Sequence, residues 1–284
     1  MNIILGATGQ VGSLLAAELL ERGEPVRAVI RDASQAMRLE SLGMQTAIAD
    51  YRDIGALTKA FQGGHTAFLI TPEKPDCTDC MAEVDSLLDA YREAVLASGI
   101  TRIVGLSSLG AQHEEGTGNL MASYRLEHAF EGIMTEKIFV RPAYYFSNWL
   151  GYLDLVRSHG ILPTFFPPEM ELPMVAPQDV ASYLADLIQS DTGPDRTMEI
   201  VGPKPYSSMD IAQIFGEVLG KAVSVQQVQP EDWESSLREA GFSEDGARNL
   251  ADMTQAVVDG KTSVEKAPVI LPTDFRTYLE SMVR

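Results

Sequence analysis

The sequence predicts an α/β protein, a doubly wound parallel sheet with a smaller α/β lobe at its C-terminal end. Three observations carry that expectation. The first 150 residues alternate short apolar runs with amphipathic helical segments, and a chain that leaves and re-enters a sheet through helices builds parallel strands. A glycine-rich turn, Gly6-Ala7-Thr8-Gly9-Gln10-Val11-Gly12, joins the first run to the first helical segment. After Arg141-Pro142 the alternation breaks, and five prolines (163, 167, 168, 173 and 177) fall within fifteen residues, which marks irregular chain.

Each element follows in order. Residues 2–5 are an apolar run stopped by Gly6, and 11–22 carry Leu14, Leu15, Leu19 and Leu20 at helical spacing. Gly23 closes that helix and Pro25 prevents its continuation. Strands are expected at 26–30, 45–49, 66–70, 102–106 and 137–140, separated by helices at 35–42, 53–61, 81–98 and 124–133. Beyond the proline tract, 179–189 reads as a helix and 197–201 as a strand returning to the main sheet as its last member. From Ser207 onward a helix, a strand at 222–228 and helices at 230–240 and 245–258 complete the chain. Residues 1–150, with 178–202 returning to them, are therefore expected to form the principal domain. Residues 151–177 and 203–284 are expected to form the smaller, substrate-binding lobe over the C-terminal edge of the sheet, where such folds place ligands.

Composition narrows the function. The chain has 284 residues, with 22 Lys and Arg against 40 Asp and Glu, a net charge of −18. The charge is −7 before residue 151 and −11 after it, so both halves repel a polyphosphate backbone and nucleic-acid binding is disfavoured. No apolar run approaches the roughly 18 residues that a membrane span requires. The reading is a cytoplasmic protein without membrane insertion. Cys77 and Cys80 form a lone C-x-x-C in an acidic, proline-bearing loop with no histidine nearby. Metal binding would need further ligands and redox chemistry a helix N-terminus. Two loop thiols in a reducing compartment, with no metal, is the expectation.

The glycine turn is the most informative stretch. Gly6 permits the tight turn, Gly9 lets backbone approach a pyrophosphate, and Gly12 allows the helix to pack closely on the strand. Free N–H groups at the helix start then face the diphosphate, whose charge the helix dipole favours. A strand before the turn, a helix after it and further βα units behind it make this a Rossmann-type dinucleotide site. At the end of the second strand an Asp or Glu would accept from a ribose 2′-hydroxyl, but Arg31 stands there instead, and a guanidinium can pair a 2′-phosphate. That favours NADP(H), with NAD(H) as the other possible coenzyme; the plainer alternative for Arg31 is a solvated strand-end arginine.

These residues, with Val26-Arg27-Ala28-Val29-Ile30-Arg31-Asp32, Ala49-Asp50, Ser107-Ser108, Val140-Arg141-Pro142, Asn148-Trp149 and Pro177-Gln178-Asp179-Val180-Ala181, resemble the NmrA-like branch of atypical short-chain dehydrogenases. The family holds NADPH-dependent quinone and other small-molecule reductases, and regulators that bind dinucleotide without turnover. The resemblance implies that Thr8, Gly9, Gln10 and Val11 line the phosphates and that Arg31 meets the 2′-phosphate. It also implies Asp50 near the adenine, Thr71 and Pro72 beside the inner ribose or pyrophosphate, and Ser107 and Ser108 beside the nicotinamide. For Asp50 a turn-capping role competes.

Ketone reduction in short-chain dehydrogenases uses Tyr-x-x-x-Lys, in which the lysine lowers the tyrosine pKa. Here the spacing is Tyr124-x-x-x-His128. The two share a helix face, but an imidazole with an ordinary pKa of about 6.5 is mostly neutral at pH 7. Quinone reduction asks less, because the hydroquinone anion is delocalised and water can protonate it. The candidate catalytic residues are Tyr124, His128 and Ser108, and the leading expectation is an NAD(P)H-dependent oxidoreductase acting on a quinone or similar electron-poor small molecule. The alternatives are a non-catalytic NADP(H)-sensing regulator and an epimerase or dehydratase, the last lacking a basic helper for Tyr124. The aromatic residues Tyr144, Tyr145, Phe146, Trp149, Phe165 and Phe166 serve either as flat walls for a planar substrate or as packing between lobes. The loop holding His113, Glu114 and Glu115 is either a closing lid or mobile surface. A homodimer is compatible with such a fold.

Overall fold

The computed structural model describes residues 1–191 and 193–283. Its first part runs β1 (Asn2–Leu5), α1 (Gln10–Glu21), β2 (Val26–Ile30), α2 (Ala36–Ser41), β3 (Gln45–Ile48), α3 (Ile54–Phe61), β4 (Thr66–Leu69), α4 (Cys80–Ser98), β5 (Arg102–Leu106), α5 (Met121–His128) and β6 (Glu136–Pro142). The chain continues through β7 (Tyr144–Tyr145), α6 (Ser147–Leu150), α7 (Leu153–His159), β8 (Ile161–Thr164), β9 (Leu172–Val175), α8 (Pro177–Gln189) and β10 (Arg196–Val201). It ends with β11 (Pro205–Tyr206), α9 (Ser208–Leu219), β12 (Ser224–Gln227), α10 (Trp233–Glu239), α11 (Glu244–Val258), β13 (Val269–Ile270) and α12 (Phe275–Val283).

Eight strands form one sheet in the order β13-β10-β6-β5-β4-β1-β2-β3, and every pairing within it is parallel. The order reverses between β1 and β4, the crevice where doubly wound sheets bind ligands. The sheet is covered on both faces, which is why β1 and β4 are buried at every position. On one face Leu15, Leu19, Leu184 and Ile188 join α1 and α8 in a single apolar cluster; on the other, Leu57, Phe61, Leu88, Tyr91, Leu126 and Phe130 join α3, α4 and α5. Arg22 clamps α1 to α8 through Asp186 at 2.6 Å and Gln189 at 3.0 Å.

The strand expected at 197–201 does return to the sheet beside β6, but it is not the last member. The chain comes back once more as β13, two residues paired to Ile200 and Val201, too short to stand out in a sequence pattern. A third cluster, with Phe146, Trp149, Tyr206, Phe215, Phe275 and Tyr278 at its centre, organises the C-terminal elements. Ser207 and Asp210 cap α9 reciprocally, each side chain accepting the other's backbone N–H at 2.8 and 3.1 Å.

Candidate functional site

The glycine turn has little room to be anything else. Gly6 adopts φ +68°, and a Cβ there would lie 2.3 Å from Ile70 Cδ1. A Cβ on Gly12 would lie 2.2 Å from the Gly6 carbonyl oxygen and 2.7 Å from its carbon, so α1 starts hard against the turn. Gly9 occupies the N-cap without a side-chain cap, and no acidic side chain stands in the first turn. Among the described residues the N–H groups of Gln10, Val11 and Gly12 that open α1 therefore meet no acceptor. Thr8, Gly9 and Gln10 are exposed. Val11 is buried in the core, so of Val11 only the backbone can serve a ligand.

The turn is held by a residue that sequence reasoning missed. Tyr51, almost fully buried after β3, accepts the Gly6 N–H at 2.9 Å and donates to the Val29 carbonyl at 3.1 Å. Arg31 lies over the same ring, its Cζ 5.8 Å from the centroid, and among the described residues it makes no hydrogen bond or ion pair to protein. A free cation is thus held on an aromatic platform at the end of β2. Burial pushes the Tyr51 phenol above its usual range, opposed by the Gly6 N–H and Arg31.

Arg31, Asp50, Tyr51, Thr71 and Pro72 all line one cavity of about 550 Å³, which continues past Glu73, Cys77, Cys80, Asn119 and Ser123 to Phe242 and Gly246. Four residues expected at the coenzyme therefore meet in one space, which is linked to the turn through Tyr51, whereas Gly6, Thr8 to Gly12, Ser107 and Ser108 do not line it. A larger, more open hollow of about 760 Å³ lies between β3 and α3, around Arg27, Gln45 and Gln62. It runs along the edge strand β3 from Gln45 to Ile48 and along α3, none of the residues expected at the coenzyme lines it, and we assign it no role in the site. Asp50 does what its turn-capping alternative requires: Oδ1 accepts the Arg52 N–H at 2.9 Å, and that bond holds its carboxyl below the ordinary range.

Among the candidate catalytic residues the geometry is less convergent. Tyr124 and His128 share a helix face as expected, but their rings stack at 4.0 Å between centroids, and His128 Nδ1 lies 2.7 Å from the Tyr124 carbonyl oxygen. The imidazole contacts the ring rather than the hydroxyl, and neither residue lines the cavity. Ser108 donates to the Leu109 carbonyl at 3.0 Å. Ser107 donates to Glu127, whose carboxylate pairs with both Arg141 Nε and an Arg141 terminal nitrogen at 2.8 and 2.7 Å. Glu199 stands 3.7 Å from Arg141. This buried ion cluster anchors the end of β5 to β6 and β10. Its sequence signal is faint: Glu127 falls three residues after Tyr124, and Arg141 is an arginine inside an apolar strand.

Two expectations are corrected, for the cysteines and for the His113 loop, and one open alternative, for the aromatic residues, is narrowed. Cys77 and Cys80 are not free loop thiols but a disulfide, and Cys80 is the first residue of α4, whose N-cap Asp79 accepts the Ala82 N–H at 3.0 Å. Asp79 three residues before Ala82 was the available capping signal. The aromatic run is divided: Phe146, Trp149 and Phe166 are core, while Tyr144 and Tyr145 are half-buried. The loop with His113 is tied down rather than free, because His113 Nε2 and Gln112 Nε2 contact the Lys261 carbonyl at 3.1 and 3.3 Å and Lys261 Nζ donates to the Gly116 carbonyl at 2.9 Å. Over this loop α11 packs so closely that a Cβ on Gly118 would lie 2.1 Å from the Asn249 carbonyl oxygen.

The model of the NmrA-like family matches residues 2–278. The chain belongs to the NmrA-like family. Among curated proteins of similar sequence, the NAD(P)H azoreductase of Xenophilus azovorans is 25% identical over 256 residues, 89% of this chain and 84% of that one. Quinone oxidoreductase 2 of Escherichia coli is 24% identical over 258 residues, 89% and 86% of the two chains. The NADPH complex of an Escherichia coli NADPH-dependent quinone oxidoreductase superposes over the full length of both chains with a TM-score of 0.83 at 21% identity. The NADP(H) complex of the Citrobacter sp. triphenylmethane reductase does so with 0.82 at 24%. The NmrA-like fold therefore extends through the C-terminal elements, beyond Ala181, the last of the residues that carry the family resemblance in the sequence. Among the described residues no helix is long and apolar enough to cross a membrane.

Proposed function

We propose that this NmrA-like chain is an NADP(H)-dependent reductase of a quinone or similar small, electron-poor molecule. The observation that carries the reading is the cradle at the start of α1: an uncapped helix N-terminus, a turn with no room for a Cβ at Gly12, and an unpaired Arg31 beside it. Backbone N–H groups from Thr8 to Val11 would hold the diphosphate, Arg31 the 2′-phosphate, and the Asp50–Tyr51 turn with Thr71 and Pro72 the adenosine side. The names of the relatives, an NAD(P)H azoreductase and a quinone oxidoreductase, support the same class.

The coenzyme, when bound, supplies hydride. The chain's task is then to orient and to exclude water. Ser107 is fixed by Glu127 and Arg141, so the end of β5 is a rigid wall rather than a proton relay. Because the Tyr124 and His128 rings stack, the imidazole is not poised on the tyrosine hydroxyl, which suits acceptors whose reduced form takes its proton from water. The same observation favours a second reading, an NADP(H)-binding regulator without turnover. In either case residues 1–150 with 178–202 would hold coenzyme and the remainder would cover the substrate. The test is NADPH oxidation followed by absorbance with a panel of quinones, azo compounds and ketones. Turnover confined to the first two classes is expected; tight NADPH binding without any turnover overturns the enzyme reading in favour of the regulator.

A further inference from the structure

The Cys77–Cys80 pair takes no part in the site as described, yet both residues line the same cavity as Arg31, Tyr51, Thr71 and Pro72. They sit at the end of the segment that joins β4 to α4. The start of α11 clasps that segment from above: the Ser243 N–H donates to the Pro75 carbonyl at 2.8 Å, the Ser243 hydroxyl donates to the Cys77 carbonyl, and Asp245 Oδ2 accepts the Cys80 N–H at 2.9 Å. Gly246 packs so closely that a Cβ there would lie 3.2 Å from the Pro75 carbonyl oxygen. The disulfide therefore lies where a wall of the cavity, the N-terminus of a 19-residue helix and the covering α11 meet.

From this placement we propose that Cys77 and Cys80 are a redox-modification site, a dithiol/disulfide couple whose state sets the affinity of the coenzyme cavity. The inference rests on the reading of that cavity as the NADP(H) site. Reduction consumes two electrons and two protons, breaks one S–S bond and leaves two thiols; a small dithiol supplies them and becomes a cyclic disulfide. Oxidation runs through a small-molecule disulfide: one Cys thiolate displaces a thiolate from it, and the second Cys attacks the mixed disulfide and releases the other, so that two small thiols leave as the protein bond forms.

Geometry gives the consequence. Two bonded sulfurs sit about 2 Å apart, whereas non-bonded heavy atoms need roughly 3.5–4 Å, and both cysteines are buried. On reduction the separation has to be taken up by residues 71–77, which line the cavity, or by the clasp to Ser243 and Asp245. Because both cysteines line the cavity, a thiol that swings away from its partner either enters that space or shifts the wall that shapes it. The surroundings also decide what kind of couple this is. Asp76, Asp79 and Asp245 disfavour a thiolate and burial restricts access, whereas the first turn of α4 favours one. A slowly exchanging, regulatory pair fits these opposed influences better than a catalytic one.

The experiment uses the full chain, equilibrated in buffers of reduced and oxidised dithiothreitol, quenched with acid, unfolded and alkylated for mass measurement. NADPH affinity is measured by calorimetry on the fully oxidised and fully reduced protein. The expected result is a reversible shift of two alkylations together with an affinity at least about fivefold weaker after reduction, the low end of ordinary coupling between sites. By reciprocity, saturating NADPH then makes the disulfide harder to reduce by the same factor. The Cys77→Ser/Cys80→Ser variant should match the reduced protein. Equal NADPH affinity in the two states overturns the inference while leaving the NADP(H) reading in place; binding in neither state overturns both. Two thiols that resist oxidation and retain a stoichiometric metal ion, with Asp245 as the third ligand its donor atoms permit, also overturn it.

Discussion

Tyr51→Phe removes a single oxygen and tests whether the glycine turn is held in the way the structure describes. The hydroxyl accepts the Gly6 N–H at 2.9 Å and donates to the Val29 carbonyl at 3.1 Å, in a residue only 7% exposed. Phenylalanine leaves both backbone groups without that partner and too buried for water to replace it freely. Unsatisfied buried groups cost about 1–3 kcal/mol each, so two of them predict a loss of about 2–6 kcal/mol in unfolding free energy, toward the lower end because Gly6 is only half-buried. The ring itself remains, and with it the platform under Arg31. The effect on NADPH should therefore come through the loosened turn, a several-fold weaker affinity with the preference over NADH retained. Urea unfolding and calorimetric titration of the same preparation measure the two effects. An unchanged unfolding midpoint with unchanged NADPH affinity would refute the assigned role of Tyr51.

Gly12→Ala places a methyl group 2.2 Å from the Gly6 carbonyl oxygen; overpacking of this kind costs about 1–3 kcal/mol, and NADPH titration should show the affinity falling with it. Arg141→Met strands the buried Glu127 carboxylate and should cost about 3–5 kcal/mol in urea unfolding, whereas the double variant Glu127→Gln/Arg141→Met should cost clearly less. Acid should loosen the clasp over the cavity. The Cys80 N–H and Arg248 hold the Asp245 carboxyl below its ordinary value. The stability it contributes is thus complete above the unfolded value of about 4 and is lost as pH falls through that region toward the folded one. Unfolding midpoints measured from about pH 5 to pH 3 should drop less steeply for Asp245→Asn than for the native chain.

Much of the fold could be read in advance because its signals are local. Gly6, Gly9 and Gly12 announce the turn, Gly23 and Pro25 end α1, and alternating apolar runs lay out the first six strands. Arg31 at the end of β2 was visible for the same reason. What escaped depends on contacts between distant residues. Cys80 meets Asp245 across 165 positions and His113 meets Lys261 across 148, and no spacing in the sequence links them. Tyr51 was hidden because its hydroxyl acts on Gly6, 45 residues earlier. Tyr124 and His128 show how far spacing reaches: it placed both on one face, but whether the imidazole meets the hydroxyl or the ring depends on rotamers that periodicity does not encode.

The most direct test of the account is calorimetric titration of NADPH and NADH into the native chain and into Arg31→Ala. The account predicts that native protein prefers NADPH, and that Arg31→Ala loses about tenfold or more in NADPH affinity, the value of one charge-assisted hydrogen bond, while NADH affinity hardly moves. Equal losses for both coenzymes, or no binding of either to the native chain, would contradict it.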